Sequence, residues 1–521
     1  MTLVVNFGGR FIRSCSFELL LFYNGLVAAY LHTGGVLMNN FEDIFKLLNL
    51  PNDGSINIDD VIVDDKTKTI HLSRNPVPTY CDICGARMNS RGIYKRNVNH
   101  QILQDSTHLN LIIHQRKWRC TNCLTFKNES FPFVEKHKQS TSLIPLLVLD
   151  AMKDLNRSAV SVAKQFNISD TQVHDIFTAY VDLPRLELPE ILSVDEIYLN
   201  ISHKDKYALV LMDFKTGEIV DILHNRWKST ADKYFYSIPL EERKRVKYVI
   251  CDAYRNYMEF PNDYFPNAKV ILDSFHVSKH LISKLNTYIN QVMKRYQERD
   301  KKELEKKNHD TNRENKTIKE SHEVVLLRDY RWVLLKNNDE IKYSTKRYYH
   351  NLLKMHLDTY TIEKMFFDLD DNFKPLHELK EKFIIFNQSK FEKYEDAVNE
   401  LDELIKEYKA SDQIIFKHFA DYLNKFRTEI IYSFTVSEVS RRTKDEQDKY
   451  YSRLSNGPME GFNRKPKDYK RNSRGFSNFD YTRNRILWST RKNPSILGIP
   501  KTYKQIHSYI TDRPRGPYKT K

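Results

Sequence analysis

The chain has 521 residues, too many for one ordinary hydrophobic core, so two to four domains are expected. Hydrophobic residues make up 40% and charged residues 29%, which fits a soluble globular protein, and a formal charge of +15 points to a polyanionic partner. Four of the six cysteines fall into two CxxC pairs, which argues against a secreted disulfide framework and fits a reducing cytosol.

In chain order, residues 15–31 ("CSFELLLFYNGLVAAYL") are apolar and follow Arg10 and Arg13. The run is short for a membrane span and contains Glu18. Met38 opens "MNNFEDIFKLLNL", which reads as a natural start followed by an amphipathic helix. Residues 1–37 are therefore expected to be a non-native or disordered extension. Residues 56–72 alternate as strands do, with a turn near Asp64-Asp65. The pairs "CDICG" (Cys81, Cys84) and "CTNC" (Cys120, Cys123) enclose 35 residues. Each CxxC turn supplies two thiolates, so together they predict a tetrahedral, structural Zn2+ site with no open position for chemistry. His100, His108 and His114 lie between them and are read as surface or strand residues, with "THLNLIIHQRKWRC" as a strand. Arg87, Arg91, Lys95, Arg96, Arg116, Lys117 and Arg119 make the module basic.

Residues 140–180 read as helical. "SAVSVAKQFNISDTQVHDIFTAYV" has the pattern of a helix-turn-helix. Ala163 and Phe166 fit the inner face of one helix, Ser169 or Asp170 caps the next, and Val173 and Ile176 face inward. Gln172, His174 and Asp175 are then on the exposed side, where a major groove would be read.

Residues 188–280 alternate strands and helices. "LPEILSVDEIYLN" carries Asp195 and Glu196, and "KYALVLMDF" and "GEIVDIL" form two further strands. A helical stretch (229–245), "VKYVICD", a short helix, "AKVILD" and a helix beginning "SFHVSKHLISKL" follow. Three hairpin-linked strands and then alternating helix and strand is the element order of an RNase H-like fold. It sets Asp195 on the first strand beside Asp252 at the end of the fourth. Carboxylates there suit Mg2+ or Mn2+, since two such ions can clamp the attacking and leaving oxygens of a phosphodiester. Glu196 points to the opposite face from Asp195, and periodicity alone does not say which faces the site. Asp273 competes with Asp252, and His276 is read as a core or helix-start histidine.

Residues 281–450 are dominated by helical patterns, with a polar, disorder-prone stretch at 297–322. "SNGPMEGFNRKPK" then starts a helix, with Asn456 as cap, Pro458 in the first turn and Glu460 near the positive dipole end. From residue 461 to the end, 16 Lys and Arg stand against 3 Asp, interleaved with aromatic residues, which predicts a folded basic surface for nucleic acid. Arg464, Lys465, Lys467, Lys470, Arg471 and Arg474 are its candidate phosphate contacts.

The cysteine module, the helix-turn-helix, "VDEIYL", "ICDAYRNYMEFPNDYFPNAKVILDSFHVSKHL" and "SNGPMEGFNRKPKDYKRNSRGFSNFDYTRNRIL" together resemble the DDE transposases of the ISL-three insertion-sequence family. The resemblance covers nearly everything from about Met38 onward. It implies a catalytic, magnesium-holding triad of Asp195, Asp252 and Glu460, with a helical insertion between the last two. One departure is that "EGFNR" keeps only Asn463 where the family often pairs asparagines. The resemblance further implies cutting of element ends and joining to target DNA, with double-stranded DNA (terminal inverted repeats and target) as partner. Pairing two element ends would make a dimer or larger assembly on DNA, and with no membrane partner expected the compartment expected is the bacterial cytosol, at the nucleoid.

The resulting expectation is a multidomain α+β chain. Residues 38–135 form the zinc module, 140–185 the helix-turn-helix and 188–285 the first part of an RNase H-like domain. Residues 286–450 form the helical insertion and 451–521 the second part with its basic segment. Two other functions fit the same elements: a non-enzymatic zinc and helix-turn-helix DNA-binding regulator, and an RNase H-like nuclease that cuts without joining.

Overall fold

In a computed structural model of the chain, the described residues are 45, 48–102, 108–136, 138–201, 206–311, 320–441, 450–473 and 478–507. The expected extension at 1–37 and the candidate contact Arg474 lie outside them. The chain divides into two compact units. One comprises the chain through Ala151 with Ala159–Phe177, the other Met152–Ser158 with the chain from Thr178 onward.

The first unit is built on a sheet of β1 (Ile56–Val63), β2 (Thr67–Arg74), β3 (Met88–Ile102), β4 (His108–Cys120) and β5 (Phe126–Asn128). The order is β1-β2-β4-β3, with β5 also on β4, and β2 runs parallel to β4. Alternation sets the faces: Leu109, Leu111 and Ile113 of β4 are buried with Ile70, Leu72 and Val98. β3 carries few apolar residues and was not expected as a strand. It is held by its long antiparallel ladder to β4. His100 is fully buried in it, with its ring nitrogens 2.9 Å from Thr141 Oγ1 and 2.8 Å from Leu48 O.

The helices Leu143–Ala151, Ala159–Phe166 and Asp170–Tyr180 follow. Asn167 adopts φ of 51° between the last two. Ser169 starts the final helix as expected: its Oγ accepts from Gln172 N–H at 3.1 Å, and Gln172 Oε1 accepts from Ser169 N–H at 3.1 Å. Val162, Ala163, Phe166, Val173 and Phe177 form the buried face. Ile176 is only half-buried, because Phe177, four residues after Val173, takes the inner position.

The second unit contains a sheet of β6 (Ile191–Tyr198), β7 (Tyr207–Asp213), β8 (Ile219–Leu223), β9 (Tyr248–Cys251) and β10 (Lys269–Leu272). The order is β10-β9-β6-β7-β8, with β6, β9 and β10 parallel and β7 antiparallel to β6 and β8. One face packs Leu192, Val194, Val249 and Cys251 among Phe235, Tyr257 and Phe260. The other packs Ile191, Ile250 and Ile271 against Val439 and Leu454. Val439 ends β13 (Val436–Val439) and Leu454 follows β14 (Tyr450–Arg453), the two strands of one hairpin. The expected domain boundary at 450 therefore falls inside a hairpin that packs on the sheet.

The helix Ser274–Thr311 runs without a break through the expected boundary at 285, and Val277, Leu281, Leu285, Ile289 and Val292 line its buried side. Residues 297–311 are helical, where the sequence reading expected disorder. Ion pairs explain this: Arg299 meets Glu303 at 3.8 Å and Glu323 at 3.1 Å, Lys301 meets Glu305 at 4.0 Å, and Asp300 accepts from Ser321 N–H at 3.1 Å. Helices Phe373–Gln388, Tyr394–Ala410 and Ile414–Lys425 complete this helical body, with a small hairpin of β11 (Tyr348–His350) and β12 (Met355–Leu357) beside them.

Buried in the helical body, His377 lies beside Lys380, which pairs with Glu381 at 2.7 Å, and its own Nε2 is 3.8 Å from the same carboxylate. Burial, helped by the Lys380 charge, holds His377 down to about 4 from 6.5. The unfolded chain thus takes up a proton between pH 6.5 and 4 that the folded chain refuses, and stability falls as pH drops through that window. Wild type is expected to lose about 2–3 kcal/mol there relative to His377→Leu. Equal denaturation midpoints for the two proteins at pH 7.5 and pH 5 would contradict this.

Candidate active site and metal centres

The four cysteines converge as their spacing requires. Cys81 Sγ lies 3.4 Å from Cys123 Sγ, Cys84 Sγ lies 3.4 Å from Cys120 Sγ, and Cys84 and Cys123 are 3.6 Å apart. Disulfide sulfurs would stand about 2.05 Å apart, whereas tetrahedral thiolates with bonds of about 2.3 Å stand roughly 3.8 Å apart. Backbone N–H groups of Ile83, Asn122 and Cys123 donate to the sulfurs at 3.3–3.5 Å, as in metal-binding knuckles. The Thr125 hydroxyl pulls the Cys81 thiol down to about 6. Among the described residues no histidine joins this cluster.

In the second unit, strand register assembles a group of carboxylates. Ile191, Leu192 and Ser193 pair with Tyr248, Val249 and Ile250, and Leu272 pairs with Cys251. Continued one step beyond β9 and β10, this register sets Asp252 and Asp273, each just past the end of its strand, side by side with Asp195 in the middle of β6. Alternation puts them on the face of Ile191, Ile250 and Ile271. Glu196 points the other way, where Arg226 NH1 reaches it at 2.6 and 2.8 Å and the Tyr257 hydroxyl donates to it at 3.0 Å. Register thus puts Asp195, and not Glu196, on the face shared with Asp252 and Asp273.

The helix Gly457–Asn472 packs on β6 and brings Glu460 to this face from its first turn. Asn456 precedes the helix but its side chain does not cap it. Its N–H donates to Asp273 Oδ1 at 3.0 Å, and its Nδ2 lies 3.5 Å from Val194 O. One turn on from Glu460, Asn463 Nδ2 donates to Asp195 Oδ2 at 2.8 Å. Burial pushes Asp195 up to about 6, with the Asp252 charge adding to it and the Glu196 N–H opposing.

Ligand atoms of Asp273, His276 and Glu460 all lie within 4.8 Å of one another. This compact group contains Glu460 but takes Asp273 and His276 where the sequence reading placed Asp195 and Asp252. Asp195 stands close enough to feel the charges of both Asp252 and His276. Nothing in the sequence pattern singled out Asn463 or Asn456 as a holder of this group.

Arg464, Lys465, Lys467 and Arg471 lie on the exposed face of the Glu460 helix, Arg471 paired with Asp468 at 3.0 Å. Lys470 instead lies over the Tyr198 ring at 4.0 Å and donates to Tyr198 O at 3.4 Å. Further along, part of the basic charge is internal. Arg483 pairs with Asp221 at 2.5 Å. Arg485 is 1% exposed and donates to Asp154 O and Arg157 O. Arg491 donates to Pro184 O and Val220 O. In the first unit, Gln172 and His174 are exposed, with Gln172 also engaged in the helix cap.

A transposase family model of the ISL3 DDE type matches residues 192–486, the stretch that holds every carboxylate just described. The transposase for insertion sequence element IS1001 of Bordetella parapertussis is 23% identical over 282 residues, which is 53% of this chain and 63% of that protein. The chain thus aligns with somewhat less than two thirds of that relative's length. On the family match, the chain belongs to the ISL3 family of DDE transposases.

Proposed function

We propose that the protein cuts the ends of an insertion sequence and joins them to target DNA, using Asp195, Asp252 and Glu460 to hold two Mg2+ or Mn2+ ions. The observation that supports this reading is the strand register that sets Asp195 of β6 opposite Asp252, just past the end of β9, together with the packing of the Glu460 helix on β6. The strand order β10-β9-β6-β7-β8, with β7 antiparallel, supports an RNase H-like catalytic domain interrupted by the helical body. The donor set fits hard divalent ions, which would supply an activated water or 3′-hydroxyl and stabilise the leaving oxygen. The chain's own part is to hold and orient. Asn463 fixes Asp195, the Asn456–Asp273 bond fixes the start of the Glu460 helix, and Arg464, Lys465 and Lys467 flank Glu460 with positive charge for phosphates. No covalent protein–DNA intermediate is needed.

In this reading the four cysteines hold one structural Zn2+, and the helices Ala159–Phe166 and Asp170–Tyr180 are a helix-turn-helix reading the terminal repeats through Gln172 and His174. The protein acts as a dimer or larger assembly on DNA, in the bacterial cytosol at the nucleoid. Full chain incubated with labelled DNA bearing the element's own ends and Mg2+ is expected to nick at those ends, and EDTA to abolish the nicks. Binding without cleavage would favour the regulator reading. Asn463→Ala is expected to slow cleavage about 10- to 100-fold at unchanged end binding. An unchanged cleavage rate in that variant would show that Asp195 needs no such holder.

A further inference from the structure

Asp273 is not in the triad that the family resemblance implies and forms no ion pair among the described residues, yet it is 1% exposed. Its Oδ1 accepts the Asn456 N–H, while Oδ2 is buried with no hydrogen-bond partner among the described residues. A buried carboxylate oxygen left in this way is costly unless something positive meets it. A ring nitrogen of His276 and a carboxylate oxygen of Glu460 lie within 4.8 Å of the Asp273 carboxylate. His276 sits in the first turn of the helix Ser274–Thr311 and is half-buried, so its ring is within reach of solvent.

We propose that Asp273, His276 and Glu460 form a divalent-cation site of mixed oxygen and nitrogen donors that favours Mn2+ over Mg2+. Two carboxylates supply charge, and the imidazole supplies a donor that Mg2+, with its preference for oxygen and its retained waters, uses poorly. The simpler account makes Asp273 the start of its helix and an anchor for Asn456, with His276 as an ordinary first-turn residue. That account explains why the Glu460 helix starts beside Asp273 but leaves the second carboxylate oxygen unmatched. As part of the catalytic machinery the site rests on the reading given above; as a cation site it does not.

The test is Mn2+ binding to the zinc-loaded full chain without DNA, followed by electron paramagnetic resonance. Wild type is expected to bind Mn2+ more tightly than Mg2+ and to show nitrogen coupling from an imidazole. His276→Gln, a change at a half-buried position, is expected to lose that coupling. It should also weaken Mn2+ binding about tenfold or more and bring the Mn2+ and Mg2+ affinities together, while melting as wild type does. Asp273→Asn is expected to abolish the signal. Nitrogen coupling retained in His276→Gln, or no Mn2+ bound by wild type, overturns the proposal. If Mn2+ binding depends on Asp195 and Asp252 but not on His276, this site fails and the catalytic reading stands. If it depends on His276 while wild type cleaves no DNA, the cation site stands and the catalytic reading fails.

Discussion

Replacing Glu460 by Gln is expected to abolish cleavage and joining while leaving binding to element ends intact. Glutamine keeps the shape but removes the charge that a cation needs. Glu460 is half-buried in the first turn of its helix, and neither of the contacts that dock this region, Asn456 to Asp273 and Asn463 to Asp195, passes through it. Folding and DNA affinity should therefore change little. Losing one metal-holding carboxylate should cost roughly a thousandfold or more in rate, about 4 kcal/mol of transition-state stabilisation. Single-turnover cleavage alongside an end-binding titration separates the two effects. A variant that still cleaves within tenfold of wild type would remove Glu460 from the chemistry and leave it as a helix-start residue.

Removing the proposed zinc from the four-cysteine cluster is expected to have the second large effect. The cysteines are knit into a small core of their own, where Cys81 and Cys120 pack with Met88 and Trp118. This is separate from the larger apolar cluster that holds β1, β2 and β4. A structural zinc site of this kind contributes on the order of 10 kcal/mol, comparable to the whole stability of a typical domain. Chelation, or Cys120→Ser, is expected to release one zinc per chain and to raise hydrogen exchange sharply across residues 79–90 and 118–128. The sheet of the second unit should keep its protection, because its core shares no residue with the cysteine cluster. A chain purified with no zinc, and with unchanged exchange after Cys120→Ser, would show that the thiols fold without metal.

Those features that were legible in the sequence are set by local rules. A CxxC turn presents two sulfurs whatever surrounds it, so Cys81, Cys84, Cys120 and Cys123 were readable from spacing alone. The strands of the second unit are short apolar runs between turn signals, so Asp195 could be put within a strand and Asp252 and Asp273 each at a strand end. The face each of them occupies depends on register between strands far apart in sequence: alternation within β6 does not say which of Asp195 and Glu196 shares a face with Asp252, whereas the pairing of Ser193 with Ile250 does. The partners of Asn463, Asn456, Asp273 and His276 escaped for the same reason: these residues meet groups some 180 to 270 positions away. β3 escaped because its side chains are mostly polar and its stability comes from the ladder to β4. The stretch 297–311 escaped because its composition looks disordered while its ion pairs to Glu323 and its own turn hold it helical.

The most direct test of the central claim is the product formed by wild-type protein from DNA carrying the element's own ends and a separate target DNA in Mg2+. The account predicts molecules in which the 3′ end of the element is covalently joined to the target, with no protein attached. Cleaved ends with no joined product would mean a nuclease, and bound but intact DNA would mean that Asp195, Asp252 and Glu460 do not perform this chemistry.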